Sequence, residues 1–131
     1  MACDMERGTI LVVDDNVDIR GFAKRFLETA GYTVITAADG EEGLRFYEAH
    51  QSSITLLLTD VSMPNMNGVE LADRVLGMNS KLPVLLMSGD ASSDYRGLQC
   101  VEKPFQPAEL IETVDRVLNA KLRPARTASA A

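Results

Sequence analysis

Five polar residues each follow a segment of strand-like composition. Asp14 and Asp15 follow Thr9–Val13, Asp60 follows Ile54–Thr59, Ser88 follows Val84–Met87, and Lys103 follows Leu98–Glu102. Brought to one place, these residue types share a chemistry. Three carboxylates in a cleft repel one another by roughly 4 kcal/mol per pair at 4 Å and an effective dielectric near 20, so a cation is expected among them. Oxygen-only ligands on a partly open site favour Mg²⁺, which takes one or two carboxylates, keeps several waters and shares phosphate oxygens. A lysine then supplies a point charge, and a serine hydroxyl a hydrogen-bond donor, for phosphoryl oxygens. An aspartate held there can attack phosphorus and carry the group as an acyl phosphate. The chemistry is phosphoryl transfer onto the protein itself.

The elements between these residues say whether they can meet. Thr9–Val13 is apolar and β-branched, which suits a strand covered on both faces. Ile19, Phe22, Ala23, Phe26, Leu27 and Ala30 then fall at helical spacing, with Gly31 as C-cap. Tyr32–Thr36 alternates as a half-buried strand, and Asp39 with Glu42 three residues later forms a capping box that opens a helix through Leu44, Tyr47 and Ala49. Ile54–Thr59 is a third strand, followed by a helix with Val69, Ala72, Val75 and Leu76 on one face. Val84–Met87 and Leu98–Glu102 are the fourth and fifth strands, and Pro107 opens a last helix with Leu110, Ile111, Val114, Val117 and Leu118 inward. Alternating strands and helices imply right-handed crossovers and one parallel sheet clad on both sides, an α/β fold of three layers. Ligands of such sheets bind beyond the carboxyl ends of the strands, where all five polar residues stand.

Composition narrows the field further. A chain of 131 residues suffices for one domain, and 46% apolar against 24% charged residues supplies a core. The longest apolar runs, Ile10–Val13 and Val84–Met87, are far short of the roughly 18 residues that span a bilayer. Residues Met1–Gly8 lack a basic head followed by an apolar stretch, so a cytoplasmic location is expected. Cys3 and Cys100 have no ligands at zinc spacing and are read as ordinary thiols. A net charge of −6 disfavours nucleic acid and anionic membranes. The basic residues Lys121, Arg123 and Arg126 are read as part of a solvated tail or linker. A dinucleotide site or a P-loop would need a glycine-rich turn after the first strand, and Asp14-Asp15-Asn16 is neither. His50 ends the second helix as a structural residue, and Met63 and Met66 fill loop gaps.

Four segments in this order, Leu11-Val-Val-Asp-Asp-Asn16, Asp60-Val-Ser-Met-Pro-Asn-Met-Asn-Gly68, Met87-Ser-Gly89 and Lys103-Pro-Phe105, closely resemble the receiver domain of two-component response regulators. The resemblance covers residues 9–120, leaving 1–8 as an N-terminal extension and 121–131 as a flexible tail or linker. It implies a doubly wound, flavodoxin-like sheet of order 2-1-3-4-5. It implies that Asp60 is phosphorylated by a histidine kinase or a histidine phosphotransfer domain. Asp15, Asp60 and the backbone carbonyl of Ser62 would hold Mg²⁺, with Asp14 acting mostly through water. Lys103 would pair with Asp60 and then with the phosphoryl group, and Ser88 would donate to a phosphoryl oxygen. The Lys103–Pro104 bond resembles the family's cis peptide.

The chain departs from the family in two places. Receivers usually carry an aromatic residue three positions before the lysine, and Cys100 stands there, so the usual hydroxyl-to-aromatic coupling cannot operate in its ordinary form. Only nine residues, Gly89 to Gly97, separate Ser88 from the fifth strand, while an average helix alone takes about 11. The family's fourth helix is therefore expected to be shortened or missing. The surface that transcription-factor receivers use to dimerise would go with it, which favours a monomer. The short interval resembles receivers attached to hybrid sensor histidine kinases, so an origin in such a kinase, or a stand-alone receiver, is expected. No enzyme acting on an external substrate is expected. Two other classes stay open: a Mg²⁺-dependent phosphatase with an aspartate nucleophile, which would want Asp-x-Asp after the first strand, and a scaffold receiver that works without phosphorylation.

Overall fold

Five strands and four helices alternate along the described part of the chain, which in this computed structural model comprises residues 8–89, 95 and 97–122. The order is β1 (Thr9–Val13), α1 (Val17–Thr29), β2 (Thr33–Ala37), α2 (Gly40–Ala49), β3 (Ile54–Asp60), α3 (Gly68–Met78), β4 (Val84–Ser88), β5 (Gln99–Glu102) and α4 (Pro107–Leu122). All strand pairs are parallel, in the order β2-β1-β3-β4-β5. The expected shortening of a helix between β4 and β5 falls on residues 90–94 and 96, outside the described residues. So do Cys3, most of the N-terminal extension, and the tail beyond Leu122.

Each helix starts where the sequence supplies a cap. Asn16 accepts from the Asp18 and Ile19 amides and opens α1, and Gly31 turns the chain out of it at φ +102°. Asp39 accepts from the Glu42 amide at the start of α2, while Glu42 reaches back to the Ala38 amide at 2.7 Å, one residue beyond the usual capping-box partner. Asn67 and Glu70 close a full capping box on α3. His50 is the C-cap residue of α2.

The interior strand β1 shows how the sheet is buried on both faces. Ile10 and Val12 point into one core with Leu27 of α1 and Leu110 and Val114 of α4. Leu11 and Val13 point into the other, with Tyr47 of α2 and Leu71 and Val75 of α3. All four strand residues are fully buried, each adding roughly 1.5–3 kcal/mol of apolar transfer free energy. Met63 and Met66 are buried in the second core, plugging the loop between β3 and α3.

Register decides what meets at the sheet edge. Val13 pairs with Thr59, so Asp14 and Asp60 leave neighbouring strands side by side. Asp60 pairs with Met87 and Ser88 with Glu102, which brings Ser88 and Lys103 onto the same edge.

Candidate functional site

Asp14 sits at the end of β1, fully buried. Its amide donates to the Ala37 carbonyl at 3.2 Å, which ties it to β2. Its Oδ1 accepts from the Asn16 amide at 2.8 Å, so the side chain is held by the turn that Asn16 converts into α1. Arg20, one helical turn further on, donates from Nη1 to the Asp14 carbonyl at 2.7 Å. Asp15 is exposed at the mouth.

Asp60 is the last residue of β3 and only 6% exposed, one position deeper than a strand ending at Thr59 would leave it. The chain leaves it tightly: the Val61 amide donates to the Met87 carbonyl at 3.0 Å, and the Gly68 amide donates to the Val61 carbonyl at 2.9 Å. Gly68 is required by this approach, because a Cβ there would lie 2.1 Å from the Asp60 carbonyl oxygen.

Lys103 closes the site from β5. Its amide donates to the Ser88 carbonyl at 2.8 Å, and the Lys103–Pro104 bond is cis. Its ammonium lies 3.0 Å from Asp60 Oδ1 and 3.1 Å from Asp14 Oδ2. One cation is thus shared by two buried anions.

One carboxylate oxygen from each of Asp14, Asp15 and Asp60 lies within 4.8 Å of the other two. Burial pushes the Asp60 carboxyl up from its ordinary value; the Lys103 hydrogen bond pulls it down, but the Asp14 and Asp15 charges push it further up, and the net is upward. Burial works against the Lys103 ammonium, yet the Asp60 hydrogen bond and the two carboxylate charges outweigh it and hold Lys103 above its ordinary value. The two directions are consistent once the charges are counted: among the described residues, the side chains of Asp14, Asp15 and Asp60 face the ammonium of Lys103, so the ammonium is over-satisfied and Asp60 under-compensated. Asp14 Oδ2, wholly buried, is reached by no hydrogen bond of good geometry. A buried carboxylate oxygen of this kind, two more beside it, and oxygen as the sole donor type fit a hard divalent cation.

Ser88 ends β4, 7% exposed, with its Oγ 2.9 Å from the Tyr95 hydroxyl. Ser62 is exposed in the loop after Asp60, and among the described residues no hydrogen bond ties its side chain to the carboxylates. The structure therefore gathers Asp14, Asp15, Asp60 and Lys103, and sets Ser88 on the neighbouring strand. Sequence reasoning missed three contributors: Arg20, the close approach at Gly68, and Tyr95. Tyr95 had one available signal, since it is the sole aromatic residue between Ser88 and Lys103. Among the described residues, no helix is long and apolar enough to cross a membrane.

Known proteins are similar to this chain in sequence and fold. The transcriptional regulatory protein PrrA of Mycobacterium tuberculosis is 34% identical over 119 residues, covering 86% of this chain and 50% of that protein. The receiver domain of the hybrid histidine kinase CckA is 37% identical with a TM-score of 0.76, covering 85% of this chain and 99% of that one. A receiver domain protein from Clostridium thermocellum has a TM-score of 0.80 at 27% identity, covering 87% and 96%. The chain spans about half the length of PrrA, and as little as 19% of a curated plant relative, the putative two-component response regulator ARR21 of Arabidopsis thaliana. Residues 10–115 match the response regulator receiver domain, and with the acidic edge, the shared lysine and the sheet order in place, the chain belongs to that family of two-component signalling domains.

Proposed function

We propose that this chain accepts a phosphoryl group on Asp60 from a phosphohistidine of a histidine kinase or a histidine phosphotransfer domain. The observation that carries the reading is the Lys103 ammonium held between Asp60 and Asp14. A carboxylate oxygen of Asp60 attacks phosphorus, the phosphorus–nitrogen bond of the donor breaks, and the imidazole departs with the electron pair. The acyl phosphate remains on Asp60, and the chain turns over no external ester. Lys103 holds the carboxylate at the sheet edge and keeps a positive charge beside the incoming phosphoryl oxygens. Ser88 donates its hydroxyl proton to one of them. Asp14, Asp15, Asp60 and the Ser62 carbonyl are the residues that would hold Mg²⁺, which when bound supplies positive charge against the phosphoryl oxygens. The likeness to a receiver from a hybrid kinase supports an origin in such a kinase; a stand-alone receiver is the other form of this reading, and in either form the domain works as a monomer.

Incubation with acetyl phosphate and Mg²⁺, followed by mass spectrometry, tests this directly. One added phosphoryl group is expected on Asp60, and none in Asp60→Asn or with a chelator. Labelling at another residue, or without metal, overturns it.

A further inference from the structure

We infer that Arg20 is a positioning residue of the acidic edge, holding the turn between β1 and α1 so that Asp15 faces a divalent cation. This rests on the metal-binding reading of Asp14, Asp15 and Asp60 given above and adds to it the residue that orients them.

Asp15 has no anchor of its own. One of its carboxylate oxygens lies within 4.8 Å of oxygens from Asp14 and Asp60, yet the residue is exposed, and among the described residues its carboxylate takes part in no hydrogen bond or ion pair. Its direction is therefore set by the backbone that carries it. That backbone is fixed by a short closed network. The Asn16 amide donates to Asp14 Oδ1 at 2.8 Å, and the Arg20 amide donates to the Asn16 carbonyl at 3.0 Å. The half-buried Arg20 side chain then folds back over the same turn, and its Nη1 donates to the Asp14 carbonyl at 2.7 Å. The Asp14 carbonyl and the Asp15 amide belong to one planar peptide group, so a donor on the first fixes the direction in which Asp15 leaves the strand.

The choice of acceptor separates Arg20 from an ordinary surface charge. Three carboxylates stand at the same edge, and among the described residues Arg20 pairs with none of them. Its guanidinium is given to a carbonyl instead, with the short distance of a charge-assisted bond, and the carboxylate oxygens are left to a cation. Two effects of Arg20 on a metal oppose each other. Its charge repels a divalent cation, but a guanidinium in contact with solvent is screened. Its hold on the turn favours the cation, and groups that orient metal ligands typically change affinity by about 10- to 100-fold. Orientation wins, so removing Arg20 weakens Mg²⁺ binding even though it removes a positive charge.

The test measures thermal unfolding against Mg²⁺ concentration, with no phosphoryl donor, in wild type, Arg20→Met, Arg20→Gln and Arg20→Lys. Methionine keeps an apolar stem and glutamine a polar end, but neither brings a cationic donor to the Asp14 carbonyl. Both variants should need about 10- to 100-fold more Mg²⁺ than wild type for the same rise in Tm. Arg20→Lys keeps a cationic donor on a shorter side chain and should recover part of that affinity. Urea unfolding in chelator reads the metal-free fold separately. A residue serving structure alone would lower that stability and leave the Mg²⁺ dependence where it was. An unchanged Mg²⁺ dependence in Arg20→Met and Arg20→Gln, tighter binding in either, or a lysine variant no better than methionine overturns the role of Arg20. A wild-type melt that does not respond to Mg²⁺ overturns the metal reading of the edge, and this inference with it.

Discussion

Replacing Lys103 with methionine removes the ammonium paired with two buried carboxylates while keeping a stem of similar length, and the structure says what that costs. The ammonium lies 3.0 Å from Asp60 Oδ1 and 3.1 Å from Asp14 Oδ2. At an effective dielectric near 20, each contact is worth about 5 kcal/mol of gross Coulomb attraction, most of it offset by the desolvation of the ions. Removing one partner of a fully buried pair costs about 3–5 kcal/mol, because the other charge is stranded. The Lys103 side chain is 20% exposed, so solvent screens part of this, and about 2–3 kcal/mol is the appropriate expectation in metal-free solution. Urea unfolding followed by circular dichroism, with chelator at about pH 7.5, measures it. The sign of the pH response is also determined. Asp60 already has a folded pKa above its unfolded value, and losing Lys103 removes the two influences that lower it. Stability from such a group is present below the unfolded pKa and lost as pH rises through the folded one. The deficit of Lys103→Met must therefore shrink on acidification to about pH 5. Adding Asp60→Asn should also shrink it, by removing a stranded charge. A loss below about 0.5 kcal/mol, or one that is the same at both pH values, refutes the reasoning.

Three further outcomes follow from the same geometry. Gly68→Ala places a Cβ 2.1 Å from the Asp60 carbonyl oxygen, so the loop must shift; about 1–3 kcal/mol lower stability in urea and slower Asp60 labelling are expected, and unchanged values for both would contradict the close approach. Mg²⁺ binding to the folded state alone raises stability by RT ln(1 + [L]/Kd), about 1.4 kcal/mol at ten times Kd, so thermal melts should rise with Mg²⁺ and the response should flatten in Asp15→Ala. Light scattering with and without beryllofluoride and Mg²⁺ should report a monomer in both states; a mimic-dependent dimer broken by charge reversal between Leu98 and Leu118 would show that the short interval after Ser88 still builds a dimer face.

The acidic edge was legible because parallel sheets place strand ends together, and Asp14, Asp60, Ser88 and Lys103 each stand at one. The apolar run at Thr9–Val13 was also enough to read a strand covered on both faces, and Ile10 and Val12 do lie in one core and Leu11 and Val13 in the other. What composition could not give was register. Asp60 is the last residue of β3 rather than the first of the loop after it, and its carboxylate is buried, which with the Asp14 and Asp15 charges raises its pKa. Gly68 reads as an ordinary helix start until the Asp60 carbonyl is seen beneath it. Tyr95 was hidden for another reason. A nine-residue segment has no periodicity to read, and the position of its one aromatic ring depends on a turn closed through Gly97.

The charge count at the edge sets function against stability. A site optimised for folding would hold one carboxylate to one ammonium; this one holds Asp14 and Asp60 to Lys103, with Asp15 at the mouth. The imbalance appears as opposite consequences for the two partners, with Lys103 held protonated more firmly than usual and Asp60 ionised less readily than usual. Both shifts have the same meaning for stability. Each group binds its proton more tightly in the folded state, so each contributes stability that is lost as pH rises, Asp60 above the ordinary carboxylate range and Lys103 above the ordinary lysine value. A divalent cation among the three carboxylates opposes both, because it favours ionised Asp60 and competes with the Lys103 ammonium for the same oxygens. The contribution of Asp60, read as the urea-stability difference between wild type and Asp60→Asn, should therefore fall as pH climbs from the carboxylate range in metal-free solution, and saturating Mg²⁺ should remove that fall. The excess negative charge that costs the fold stability is what makes the edge receptive to a cation.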